Sequence, residues 1–229
     1  GVNGLGTPST IRIEGSAKNV LTVGNVQDYI HGFTGDDPGV LWAGDTSPKG
    51  DPSSQGPCDD GRWKPNVVAP GRWVRSLSTA LDPTNQYTLY KRGNGTSMAT
   101  PHVTGLAATL IDHFSLYEHK PALISAQLMA TAITQDDELL GDPSAGSATA
   151  DHLNTYGCGR VNAWKAHWGD QTQWTILNSY FDATNTTLND GPFVVPSNAT
   201  RLVAVMHYVE PAASKNAAKA LVNNYDLWL

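Results

Sequence analysis

Positive charge is scarce in this chain: 15 Lys and Arg stand against 21 Asp and Glu, a net charge of −6 over 229 residues. Nucleic acid is a poor main partner for that balance. Charged residues of both signs make up only 16% while hydrophobic residues reach 40%, which describes a packed globular protein and not a disordered one. No apolar run is long enough to span a bilayer, so no membrane partner is expected. No signal peptide is present, but the chain starts at Gly1 and not at Met. It reads as a fragment or a processed piece, so the missing signal says little about location. Two cysteines, Cys58 and Cys158, settle no redox compartment. There is no internal repeat, no EF-hand spacing, and no two histidines have zinc spacing with a third ligand. The length allows one large domain, or one domain and part of a second.

What is present centres on Gly93-Asn94-Gly95-Thr96-Ser97-Met98-Ala99-Thr100-Pro101-His102. This glycine-rich approach runs into a helical pattern, with Val103, Leu106, Ala107, Leu110, Ile111 and Phe114 at three- and four-residue spacing on a core-facing side. Thr96 or Ser97 is placed to cap the first turn, and Pro101 falls near the helix start, where a missing N–H is tolerated. Ser97 thus sits where free backbone amides and the positive end of the helix dipole gather. That is a sound place for a nucleophile attacking a carbonyl, because a developing oxyanion meets donors already in position.

A lone serine before a helix is ordinarily an N-cap. The whole string Gly95-Thr96-Ser97-Met98-Ala99-Thr100-Pro101 says more. It resembles, without a substitution, the nucleophile motif of the subtilisin-like serine proteases, the subtilases. The resemblance implies that Ser97 is the nucleophile and that Gly95, Thr96 and Ser97 form the active-site loop with its backbone oxyanion donors. The nucleophile elbow of the α/β-hydrolases does not fit, because it needs Gly two residues after the Ser, where Ala99 stands.

Other segments are similar to the same family. Ser16–Gly24 resembles the segment in which a sheet strand follows the substrate-pocket loop, with the strand at Val20-Leu21-Thr22-Val23. Gly1 aligns just after the family's Gly-Asn pair, whose Asn side chain completes the oxyanion hole; Asn3 is not its match, so that donor is expected to be missing. Ser53–Pro57 and Asp60–Gly71 resemble a turn, a buried strand at Val67-Val68-Ala69 and a Pro-Gly turn, with Asn66 where the family usually has Asp. Trp73–Leu77 reads as a further strand and Pro121–Ala132 as a second helix. Residues 134–155 read as a polar loop. Tyr156–Ala166 resembles the family's closing turn and last short helix.

The implied fold class is α/β: an incomplete parallel-sheet, subtilisin-like domain over 1–168, followed over 173–229 by part of a β-sandwich domain. A strand is expected at Arg201–Tyr208. Such a module leaves room for a structural or carbohydrate-binding role beside proteolysis.

The resemblance also implies what is missing. The family activates its serine with a His held by an Asp, both earlier in the chain. No Gly-His-Gly-Thr-His-Val type segment occurs here. His102 and His113 lie on the Ser97 helix, where a residue five along points away from the nucleophile. His31, His119, His152, His167 and His207 fall outside any base motif. The expectation is a serine endopeptidase acting on polypeptides through an acyl-enzyme on Ser97, secreted, and present as a piece without the N-terminal half of its catalytic domain. This piece alone is expected to be inactive. The other reading is a catalytically dead homologue acting as a binding or structural module.

Catalysis of this kind requires no cofactor. A structural Ca²⁺ could sit among Asp36, Asp37, Asp45, Asp51, Asp59 and Asp60, or these could be solvated loop charges. Alignment on the family places Arg12, with Ile11 and Ile13 beside it, at the floor of the substrate pocket. Arg12 there would favour an acidic P1 residue. Alternatively it pairs with Glu14 or Asp36 at the surface and the pocket stays apolar. Cys58 and Cys158, each in a glycine-flanked turn, are either bonded to each other or two free or buried thiols.

Overall fold

The structure is a computed structural model, and it describes residues 10–27, 53–78, 89–133, 150–169, 176, 187, 191–199, 201–223, 225 and 227. A parallel pair forms its centre: β1 (Val23–Gln27) lies beside β2 (Val67–Arg72), with Val23 opposite Val67 and Asn25 opposite Ala69. Val67, Val68 and Ala69 are fully buried, as an unbroken apolar run of this length predicts for a strand covered on both faces. A second, antiparallel ribbon joins β3 (Val74–Leu77) to β4 (Tyr90–Gly93).

The strand expected at Val20–Val23 starts three residues later. Asn66 explains the shift. Its side-chain oxygen accepts the Thr22 amide at 2.8 Å, and its own amide donates to the Thr22 carbonyl at 2.9 Å. A side chain stands in for the ladder there, and regular pairing begins only at Val23.

Helix α1 (Thr96–His113) packs across this pair through Ala99, Val103, Leu106 and Leu110, which meet Val23, Val67 and Ala69 in one core. Ala107 and Phe114 pack against that core. Ile111 does not: it is 42% exposed, one residue off the stripe that Leu110 ends. A 3₁₀ turn (Ser115–Tyr117) leads to α2 (Pro121–Ala130), which begins with proline in its first turn as expected and stops short of the expected Ala132. Leu128 and Met129 bring α2 to the same core.

Two short helices follow. α3 (Ala150–Tyr156) occupies residues that read as loop. It is anchored at its end, where the Asn154 carbonyl accepts the Gly56 amide at 2.8 Å. α4 (Ala163–Trp168) is capped by Asn162, whose side chain accepts from the Lys165 amide at 2.9 Å. Between them, Arg160 bridges to Val68 and to Ile133.

Past residue 169, no described residue lies in a helix or a strand. The strand expected at 201–208 is therefore not formed. Alternation favours a strand only where a neighbouring strand takes up its backbone groups, and no described strand pairs with this segment.

Candidate active site

Gly95 is the cap of α1, at φ 126, with no side chain capping the helix. The expected cap from Thr96 or Ser97 is thus replaced by backbone geometry, since both residues are already helical. The Gly95 carbonyl accepts the Met98 and Ala99 amides at 2.9 and 3.3 Å. The amides of Thr96 and Ser97 precede these bonds and point out of the helix start, where an anion would meet them. Ser97 is exposed, and among the described residues its hydroxyl has no hydrogen-bond partner.

Pro101 lies deeper than expected. It is inside the helix, not at its start. The amide it lacks is the one that would have bonded the Ser97 carbonyl four residues back. Thr100 Oγ1 donates to the Thr96 carbonyl at 2.9 Å and His102 Nδ1 lies 2.9 Å from the Met98 carbonyl. His102 is therefore turned onto its own helix, as its position five residues along predicts.

The loop that leads into Ser97 is tied to β2 by a short bond, the Gly95 amide donating to the Gly71 carbonyl at 2.6 Å. Gly71 is buried, and a Cβ there would stand 2.6 Å from the Gly95 carbonyl oxygen. On the other side Asn94 Oδ1 accepts the Trp73 amide at 2.6 Å. The Met98 side chain covers Gly93, where a Cβ would come within 2.8 Å of it.

A cleft opens beside Thr96. Ile11, Arg12, Gly15, Pro65 and Thr96 are among the residues that line it. Two of the three expected pocket residues are thus brought to it, Ile11 and Arg12. Ile13 is not; it is 82% exposed and lies outside the lining. Among the described residues Arg12 makes no ion pair, and Glu14 is exposed. Asp36 lies outside the described residues, as do Asn3, His31, Asp37, Asp45 and Asp51.

The stretch carrying Arg12 is held by partners that sequence reasoning missed. Thr22 Oγ1 donates to the Gly15 carbonyl at 2.6 Å, and Arg62 Nη2 donates to the Ser16 carbonyl at 2.8 Å. Residues 210–220 hold the segment just after it. Lys18 donates to the carbonyls of Pro211 and Ala220, and Asn19 exchanges two hydrogen bonds with the backbone of Glu210. Glu210 is 4% exposed; its carboxylate accepts the Asn223 amide at 2.7 Å and faces Lys18 at 3.9 Å.

Of the acidic residues weighed for calcium, Asp59 is exposed and Asp60 is engaged otherwise. Asp60 Oδ2 accepts from Arg62 at 2.8 Å and from the Ala220 amide at 3.1 Å. Burial alone would raise its carboxyl; these hydrogen bonds more than offset that and hold it below its ordinary range. Among the described residues no three His, Cys, Asp or Glu gather for a metal. The disulfide is not formed either. Cys58 and Cys158 are both free thiols, and burial pushes both upward, Cys158 to about 11.

Lys64 is a further residue that sequence reasoning missed. It is 3% exposed and donates to the Val20 carbonyl at 2.6 Å and to Asn66 Oδ1 at 2.8 Å, and among the described residues it pairs with no carboxylate. Burial pushes its amine from the ordinary 10.5 down to about 8; Cys58 opposes the shift and Arg62 adds to it. Between those two values the unfolded chain binds more protons than the folded one, so raising the pH favours folding. The penalty is full below about 8 and gone above about 10.5. The melting temperature of the parent should therefore gain on that of Lys64→Met as pH rises across this window. Parallel pH profiles for the two proteins would contradict a buried, depressed Lys64. The signal in the sequence was faint: a lysine inside Trp63-Lys64-Pro65-Asn66, directly before a buried strand.

Comparison with known proteins follows the same residues. The model of the subtilase family of peptidases matches residues 3–159. The chain is 36% identical over 111 residues to subtilisin-like protease SBT1.5 of Arabidopsis thaliana, covering 45% of this chain and 14% of that protein. It is 35% identical over 130 residues to pyrolysin of Pyrococcus furiosus, covering 56% of this chain and 8% of that one. Among solved structures, the CspB protease of Clostridium perfringens aligns with a TM-score of 0.44 at 22% identity, over 69% of this chain and 28% of that chain. Fervidolysin of Fervidobacterium pennivorans aligns at 0.41 and 22% identity, over 69% of this chain and 20% of that chain. The chain thus spans only a minor part of the relatives it matches.

Proposed function

The chain belongs to the subtilase family, and we propose on that premise that it supplies the nucleophile-bearing part of a serine endopeptidase. Ser97 Oγ attacks the carbonyl carbon of a peptide bond. The oxyanion that forms meets the backbone amides at the start of α1. Expulsion of the amine leaves an acyl ester on Ser97, which water hydrolyses. A histidine must take the Ser97 proton and pass it to the leaving amine, and an aspartate must orient that histidine. In the family both precede the serine in chain order. The proposal places them, with the side-chain oxyanion donor, ahead of Gly1 in the complete protein. Substrates are polypeptides met outside the cell. The catalytic part ends near residue 168, and 173–229 belongs to a β-sandwich whose strands need partners from elsewhere in the protein.

One observation carries this reading: Ser97 stands exposed on the first turn of α1, inside an unsubstituted family motif. The test is labelling of the complete protein with a fluorophosphonate probe, read by peptide mass spectrometry. The expected result is a single adduct on Ser97, lost on heat denaturation. No adduct, or an adduct on another serine, ends the assignment.

A further inference from the structure

We propose that the β3–β4 ribbon is a specificity site of this peptidase, in which Arg75 and Arg92 together bind a carboxylate side chain of the polypeptide being cleaved. The proposal rests on the peptidase reading and adds a substrate class to it. In the antiparallel register Arg75 lies directly opposite Arg92. Opposed side chains share one face of a ribbon, and like charges so placed repel. Both arginines are exposed, and among the described residues neither pairs with a carboxylate.

Aromatic rings hold the two guanidiniums instead. Arg75 lies 4.7 Å from the Tyr90 ring centroid and Arg92 lies 5.9 Å from that of Trp73. Stacking on a ring fixes the plane of a guanidinium while its N–H donors, which lie in that plane, stay available. Two such groups on one face match a carboxylate, which would accept from both and cancel their repulsion. Tyr90 and Trp73 are themselves 46% and 44% exposed, so the face is open. Lys91 is opposite Ser76, one residue out of step, and therefore on the other face.

Charge and position point the same way. Residues 71–78 and 89–95 hold Arg72, Arg75, Lys91 and Arg92 and no Asp or Glu, in a chain with a net charge of −6. The ribbon is tied to the nucleophile loop through the bond from the Trp73 amide to Asn94. Arg92 and Ser97 are five residues apart in sequence, at most about 18 Å of chain. An acidic residue within about five positions of the scissile bond can therefore reach the clamp.

The test uses the complete protein and fluorogenic peptides that differ only in a single Glu, Gln or Lys walked through each position on both sides of the scissile bond. At one position other than P1, Glu should raise kcat/KM about five-fold over Gln, the upper range for an exposed ion pair, and Lys should lower it. About 1 M salt should erase the difference. Arg75→Gln with Arg92→Gln should abolish it, Arg75→Glu should move the preference toward Lys, and Lys91→Gln should leave it intact. The rate of Ser97 labelling by the fluorophosphonate reports whether each variant keeps its site; if the double variant labels slowly, Arg75→Glu is read in its place. A parent that cleaves with no salt-sensitive preference for Glu overturns the proposal, as does a preference that survives the arginine variants. A parent that neither cleaves nor labels overturns the peptidase reading itself.

Discussion

Ser97→Ala in the complete protein should lower kcat on the order of 10⁶-fold, the size of loss found when the catalytic serine of subtilisin is removed. KM should change little, because the hydroxyl acts on the carbonyl only as the bond forms. The substitution is also a clean one. Ser97 is exposed, caps nothing, and has no hydrogen-bond partner among the described residues. Alanine is the better helix former at that position, so stability should move by no more than about 0.5 kcal/mol. Turnover and thermal unfolding measured on the same preparation separate the two effects. A variant within tenfold of the parent, at equal melting temperature, would show that Ser97 is not the nucleophile.

The parts of the fold that were legible in the sequence are those fixed by short-range pattern. Val67-Val68-Ala69 reads as a buried strand, and Val103, Leu106, Ala107, Leu110 and Phe114 read as one face of a helix; the structure buries or half-buries all of them, while Ile111 of the same reading stays exposed. Ser97 is singled out in the sequence because a whole motif surrounds it, and the structure puts it exposed on the first turn of α1. What escaped depends on partners distant in sequence. The late start of β1 is set by the side chain of Asn66, 44 residues from Thr22. Ala150, Leu153 and Tyr156 are too few in a polar stretch to announce α3, whose Asn154 carbonyl accepts the Gly56 amide and whose Tyr156 packs against Val26 and Val68. Glu210 reads as a surface acid until Asn19, 191 residues away, is seen exchanging hydrogen bonds with its backbone. Register has the same character. Arg75 and Arg92 are ordinary charges in sequence and become a pair only when β3 and β4 align. The strand expected at 201–208 failed for the complementary reason: its residues suit a strand, but no described strand pairs with it.

Gly71→Ala should lower kcat/KM about a hundred-fold, the cost of misplacing a reacting group by roughly 1 Å, although Gly71 touches no substrate. Its conformation is one that alanine adopts readily, since only Gly61, Gly95, Gly157 and Gly159 have positive φ among the described glycines. The cost is therefore steric. The new Cβ would stand 2.6 Å from the Gly95 carbonyl oxygen and press on the buried side chain of Asn25. Asn25 has little room to yield, because it is itself buried, at 4% exposed. Gly95 must then move, and it carries the first turn of α1 with it. Its carbonyl accepts the Met98 and Ala99 amides, and its own amide bonds to Gly71. Ser97 and the two free amides beside it shift together, out of line with the carbonyl they serve. Gly61→Ala is the control. That residue has φ 83 but open space around a Cβ, so alanine there costs about 1–3 kcal/mol of stability without displacing the site. The measurement is the rate of fluorophosphonate labelling at Ser97, with kcat/KM on one peptide, for the parent and both variants. Labelling of Gly71→Ala within about twofold of the parent would mean that the loop absorbs the extra carbon, and that the bond between Gly71 and Gly95 does not position the nucleophile.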